Sequence, residues 1–209
     1  MPSAEQAYVP SGDVTDCGIC KGTVLKTILD LGRQPMAERD DGKLYPLTLL
    51  ECGQCGLVQL SHIVDQRELF PADHPYTTGN TAALRRHFGN LADDLADGLA
   101  PGDLVVDIGA NDGTLLDAVR RAAPGVRVQG VEPTGQADRC AGRGIPVEQE
   151  FFTYSLARRL AAREGHARLV TATNVLAHVP DPHDFLSGVR ALLHDEGEFV
   201  TENHDWASV

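Results

Sequence analysis

Four cysteines and two acids carry the chemistry that this chain's residue types and spacing can support. Cys17 with Cys20 and Cys52 with Cys55 form two CxxC pairs, and Asp107 and Glu132 each close a short apolar run. A CxxC turn aims two sulfurs at one point, so two such turns can give four thiolates to a tetrahedral Zn2+. Disulfides fit less well in a chain with no secretory signal, and a redox CxxC would need only one pair. With all four ligands from the protein, no open position is left for catalysis, and the metal would be structural. Cys140 stands alone with no activating partner and reads as a small packed thiol.

The acids need elements to position them. Leu104–Val106 form an apolar β run and Asp107 interrupts it. Gly109 and Gly113 bracket a tight turn, with Ala110 and Asn111 between them, and Leu115, Leu116 and Val119 then follow helical spacing. Residues 126–131 read as the next strand, with Glu132 at its end, where an acid can accept hydrogen bonds from ribose hydroxyls. The turn lacks the GxGxxG series, which lowers NAD and raises other adenosine cofactors. Strand–turn–helix units continue through residues 167–202, so the expected fold is an α/β, doubly wound sheet of the Rossmann type. A helix with Leu84, Phe88, Leu91, Leu95 and Leu99 on one stripe should pack against that sheet.

With these landmarks placed, the stretch from Asp103 to Glu202 resembles the class I methyltransferases that use S-adenosylmethionine. The segment from Cys17, with the phrases LDLGRQPMA and YPLTLLECGQCGLVQL, resembles the zinc-binding domain that precedes the methyltransferase domain in sugar C-methyltransferases, in particular those acting on nucleotide-linked keto-deoxysugars. The resemblance implies that Asp107, Gly109, Ala110, Asn111 and Gly113 run beside the methionine part of S-adenosylmethionine and that Glu132 holds its ribose. It also places Tyr76 near the cofactor and substrate, where a tyrosine packed at a domain junction is the alternative, and Zn2+ on Cys17, Cys20, Cys52 and Cys55; Asn174 follows the fourth strand at the carboxyl edge where ligands, here the cofactor, bind. The expected organisation is a zinc-binding module over residues 12–70, a connecting helical segment over 71–102 and an S-adenosylmethionine-binding domain over 103–209.

Composition bounds the partners. A formal net charge of −12 with scattered basic residues argues against nucleic acid. No apolar run reaches membrane-spanning length, and the N-terminus shows no charged-then-apolar signal pattern, so a cytoplasmic setting is expected. The implied partner is a small-molecule substrate, a nucleotide-linked sugar.

For catalysis, the resemblance implies a general base acting beside a keto group. His178 follows the fourth strand of the sheet, and a neutral imidazole there could move a proton near physiological pH; a histidine at a helix start also serves as a packing or surface residue. In the resembling enzymes a Tyr-x-Glu-His motif beyond the fifth strand carries the presumed base, and it has no counterpart before Val209. The expectation is therefore a domain lacking its C-terminal half, with His204 as a substitute base and with an open edge at Phe199–Thr201 where a partner chain or a second copy could pair. Three readings follow: a fragmentary methyltransferase that keeps zinc and cofactor binding, a short active one using His178 or His204, or a noncatalytic zinc-containing scaffold with a vestigial cofactor loop.

Overall fold

The computed structural model describes residues 9–37 and 41–204. These fall into two compact units, one running to Phe70 and including Pro180–Pro182, the other made of the remaining residues. Among the described residues no helix is long and apolar enough to cross a membrane.

The first unit is built on antiparallel strands. β1 (Gly12–Asp13) pairs with β5 (His62–Ile63), while β2 (Leu25–Gln34), β3 (Tyr45–Cys52) and β4 (Val58–Leu60) form a three-stranded sheet in that order. The long gap between the two CxxC turns is thus occupied by the β2–β3 hairpin, whose register shifts between Thr27 and Leu29 and again between Asp30 and Arg33. A single turn, α1 (Gln66–Leu69), follows Asp65, whose carboxylate caps it by accepting the Arg67 N–H.

The second unit opens with α2 (Ala82–Ala96), capped by Thr81 Oγ1, which accepts the Leu84 N–H at 3.2 Å. Five parallel strands then alternate with helices: β6 (Leu104–Ile108), α3 (Thr114–Ala122), β7 (Arg127–Val131), α4 (Gln136–Gly142), β8 (Val147–Glu148), α5 (Tyr154–Glu164), β9 (Ala167–Thr173), α6 (Pro182–Leu192) and β10 (Leu193–Glu202). Their order across the sheet is β10-β9-β6-β7-β8. This is the doubly wound α/β arrangement, in which the direction of strand addition reverses beside β6 and leaves a crevice at the carboxyl ends.

Strand periodicity explains the two-sided core. Every residue of β6 is buried, as a central parallel strand covered on both faces requires. Val105 joins Phe88, Ala92, Leu115, Leu116 and Val119 of α2 and α3. Its neighbours Leu104 and Val106 join Leu156, Leu160, Phe185, Val189 and Leu192 of α5 and α6 on the other face. The expected stripe on α2 therefore packs as its spacing indicated, with Leu84, Leu91, Leu95 and Leu99 half-buried around Phe88. The strand at the β8 edge of the sheet is short, only the two residues Val147 and Glu148.

Candidate functional site

The sulfurs of Cys17, Cys20, Cys52 and Cys55 all lie within 4.8 Å of one another. Cys17 and Cys55 are 3.6 Å apart, as are Cys20 and Cys52. A disulfide needs about 2.05 Å, whereas Zn–S bonds near 2.3 Å in a tetrahedron place sulfurs about 3.8 Å apart. The four thiols therefore fit one zinc ion.

Local backbone explains the convergence. In the first turn Lys21 N–H donates to the Cys17 carbonyl and Cys17 N–H to the Gly22 carbonyl; in the second, Gly56 N–H donates to Cys52 and Cys52 N–H to Leu57. The two turns thus share one hydrogen-bond pattern, and both need a left-handed residue at the same place, Lys21 at φ 59° and Gly56 at φ 75°. The backbone N–H of Cys20 lowers the Cys17 thiol to a pKa of about 6, favouring the thiolate that binds metal.

In the second unit the loop after β6 is held in a left-handed path at Gly109, Asn111 and Gly113. Gly109 is required for a second reason, since a Cβ there would come within 2.5 Å of Val175 Cγ2. Asp107 is 2% exposed, and its Oδ1 accepts a 2.7 Å hydrogen bond from Thr171 Oγ1. Burial raises its pKa to about 7, partly offset by the Thr171 bond.

Glu132 is 4% exposed at the end of β7. Its Oε2 accepts the Asn111 N–H at 2.9 Å, and its Oε1 accepts the N–H and hydroxyl of Thr134 at 2.9 and 2.6 Å. The carboxylate so bridges the two loops that follow β6 and β7. Ala110 is buried, and Cys140 packs beneath the loop with its thiol pushed up to about 12 by burial, as fits a packed rather than a reactive sulfur.

Asn111 turns its side chain toward the segment that precedes α2. Its side-chain oxygen accepts the Thr78 N–H at 2.8 Å and its Nδ2 donates to the Tyr76 carbonyl at 3.0 Å. The Tyr76 ring is 47% exposed, so this residue meets the loop through its backbone.

Several residues of the site were not singled out from the sequence. Asp112 is buried, accepts from Thr114 Oγ1 at 2.7 Å and pairs with Arg143 at 2.8 Å. Thr77 and Gln136 join at 3.1 Å. Asp112 was detectable in principle, standing two residues before Thr114 as an acid beside a helix start; the Thr77 and Thr171 contacts span long sequence separations and leave no local signal.

The remaining candidates gather at the ends of β9 and β10. Asn174 is exposed in a left-handed conformation, with its N–H donating to the Glu202 carbonyl at 2.7 Å. Glu202 Oε2 lies 2.6 Å from His87 Nε2. His178 ends a 3-10 turn, and although its surface meets solvent, desolvation of the ring and then the charge of His204 lower its pKa. The structure thus brings the two candidate bases within electrostatic reach of each other.

Residues 17–70 match the family described as "Putative zinc binding domain", and residues 106–199 match the family described as "Methyltransferase domain". The chain is 33% identical over 200 residues to the C-methyltransferase NovU of Streptomyces niveus, covering 90% of this chain and 47% of the relative. It is 35% identical over 109 residues to a ubiquinone biosynthesis O-methyltransferase of Cupriavidus pinatubonensis, covering 48% of this chain and 42% of that protein. The chain thus spans about half the length of the curated relatives it matches. Among solved structures it is similar to the plantazolicin methyltransferase BpumL (TM-score 0.49, 14% identity, 62% of this chain and 50% of that one). It is also similar to coclaurine N-methyltransferase (TM-score 0.47, 14% identity, 61% and 38%).

Proposed function

Since this chain carries an S-adenosylmethionine-dependent methyltransferase domain behind an N-terminal zinc-binding domain, we propose that it methylates a carbon of a nucleotide-linked keto-deoxysugar. The observation that carries the cofactor half is the pair of buried acids, Asp107 and Glu132, at the carboxyl ends of adjacent strands around a left-handed loop. Carbon as the acceptor atom is supported by the likeness to a C-methyltransferase over 90% of the chain.

In this reading Glu132 accepts the ribose hydroxyls and ionised Asp107 faces the ammonium of the methionine part, with Gly109 and Gly113 letting the backbone approach. The bound cofactor supplies an electrophilic methyl group. A keto group acidifies the neighbouring C–H, and a ring nitrogen of His178, kept neutral by its lowered pKa, takes that proton so that the enolate carbon becomes the nucleophile. His204 stands beside it as the alternative acceptor. Tyr76 and Asn174 border the reactants, and alignment of carbon and methyl supplies much of the acceleration. The four thiolates hold a fold and leave no metal position open to substrate. A cytoplasmic setting would keep them reduced.

The test is calorimetric titration of the zinc-loaded, folded chain with S-adenosylhomocysteine, with NAD as control, followed by incubation with S-adenosylmethionine and keto-sugar nucleotides read by mass spectrometry. Saturable binding of the first ligand alone, and a sugar product heavier by one methylene unit, are expected. A folded chain that binds neither ligand would remove the reading and leave a zinc-containing scaffold.

A further inference from the structure

The segment 72–79 is attached to the rest of the second unit by contacts from two separate loops. The loop after β7 holds its first half: Gly135 N–H donates to the Ala72 carbonyl at 2.7 Å, Gln136 Nε2 to the His74 carbonyl at 3.2 Å, and Thr77 Oγ1 to Gln136 Oε1 at 3.1 Å. The loop after β6 holds the second half. Asn111 bonds the Tyr76 carbonyl and the Thr78 N–H, and Gly79 sits so close to Asp112 that a Cβ would fall 2.4 Å from its Oδ2.

Asn111 bonds both this strap and the carboxylate of Glu132, to which its own N–H donates at 2.9 Å. Its two side-chain bonds, to the Tyr76 carbonyl and from the Thr78 N–H, span Thr77 and fix the backbone that follows Tyr76, a residue that is itself exposed. An amide side chain is suited to this, since it offers a donor and an acceptor from one short planar group, and Asn tolerates the left-handed backbone required here.

We propose that Asn111 is a positioning residue, not a ligand of the cofactor: it latches the strap bearing Tyr76 onto the cofactor loop, so that order at Glu132 is transmitted to Tyr76. The second clause of that statement rests on the cofactor reading above. Any ligand that engages Glu132 fixes the Asn111 backbone, which tightens the bonds that Asn111 makes to residues 76 and 78. Tyr76 is then set only when the cofactor loop is filled, and an acceptor that touches Tyr76 would bind after the cofactor.

Amide hydrogen exchange on the full chain tests this, because the Thr78 N–H is bonded to the Asn111 side chain. Asn111→Gly keeps the left-handed backbone and deletes both bonds. Thr78 exchange should speed up about tenfold with the melting temperature little changed, and the extra Thr78 protection that S-adenosylhomocysteine gives the wild type should vanish. Asn111→Asp keeps an acceptor for Thr78 but replaces the donor to Tyr76 with an oxygen that its carbonyl repels, so it should restore only part of the Thr78 protection; it also serves if the glycine variant does not fold. Equal Thr78 exchange in wild type and both variants would overturn the latch, as would ligand-induced protection that persists in Asn111→Gly. A wild type that binds no S-adenosylhomocysteine but still shows the ligand-free difference would remove the methyltransferase reading and the coupling, while supporting the latch.

Discussion

Thr171 Oγ1 donates a 2.7 Å hydrogen bond to Asp107 Oδ1 between residues that are register partners on adjacent parallel strands. The bond links the fourth strand of the sheet to the acid that precedes the left-handed loop after β6. It also lowers the pKa of a carboxyl that burial otherwise pushes up, leaving it at about 7. The ionisation of Asp107 therefore falls within the range where the protein would work.

The consequence is a pH dependence with a defined sign. Ionised Asp107 attracts a cationic ligand group, so S-adenosylhomocysteine affinity should rise about tenfold from pH 6 to pH 8, following the ionised fraction of a group with pKa near 7. Thr171→Val removes a contact that lowers the pKa and should move the transition to higher pH, while Asp107→Asn should abolish it. Stability runs the opposite way. A pKa raised from 3.8 in the folded state gives a contribution that is full below about pH 4 and is lost as pH rises through about 7. Ligand titrations and thermal melts across pH 5 to 9, run on all three proteins at about the same salt, check both signs.

The matched CxxC turns give a second expectation. Lys21 occupies the left-handed place that Gly56 fills in the other turn. Lys21→Gly should therefore stabilise the zinc-loaded module by up to about 1 kcal/mol, the strain of a side chain in that region less the added freedom of the unfolded chain. Stripping the metal with a chelator should release one zinc per chain and melt the β2–β3–β4 sheet, since a structural site and its fold form together. Metal analysis with circular dichroism reads both. Retention of the sheet in a metal-free chain would show that the metal is dispensable for folding.

Three glycines separate close packing from open space. Gly109→Ala places a Cβ 2.5 Å from Val175 Cγ2 and at positive φ, and Gly79→Ala places one 2.4 Å from Asp112 Oδ2. Each should cost about 1–3 kcal/mol in urea denaturation, as overpacking does, and weaken S-adenosylhomocysteine binding. Gly89 lies within α2 with nothing within 4 Å of its Cβ position, so Gly89→Ala should stabilise by roughly 0.5–1 kcal/mol through helix propensity. An equal loss at all three positions would mean that the packing around the loop is not what limits substitution there.

Much of this architecture is written locally in the sequence, and the part that is not has a common physical character. The buried strand at 104–108, the left-handed glycines after it and the Leu84–Phe88–Leu91–Leu95 stripe announce themselves because period and turn chemistry act over a few residues. Four cysteines in two pairs likewise carry their own geometry. By contrast, the reach of Asn111 to Tyr76 and Thr78, the Thr77–Gln136 pair and the Asp107–Thr171 bond join residues far apart in the chain. Such contacts depend on which strands become neighbours. Asn111 is such a case: its place in the loop suggests a ligand contact, and its side-chain bonds to Tyr76 and Thr78 leave no mark in the local pattern.

The two candidate bases differ in a way that titration can resolve. His178 has its pKa lowered, first by desolvation of its ring and second by repulsion from His204. It should therefore titrate below the usual histidine value of about 6.5, and His204→Gln should raise its midpoint without restoring the full value, because the larger cause remains. Nuclear magnetic resonance of the histidine ring protons measures this independently of turnover. In methyl-transfer assays the acidic limb of the rate profile should follow the same midpoint, since a base must be unprotonated to accept the proton, and it should shift upward in His204→Gln. His178→Gln should lower kcat by about 10²–10⁴-fold if its ring takes the proton. A limb that stays fixed in His204→Gln, or turnover that survives His178→Gln unchanged, would move the base away from this turn.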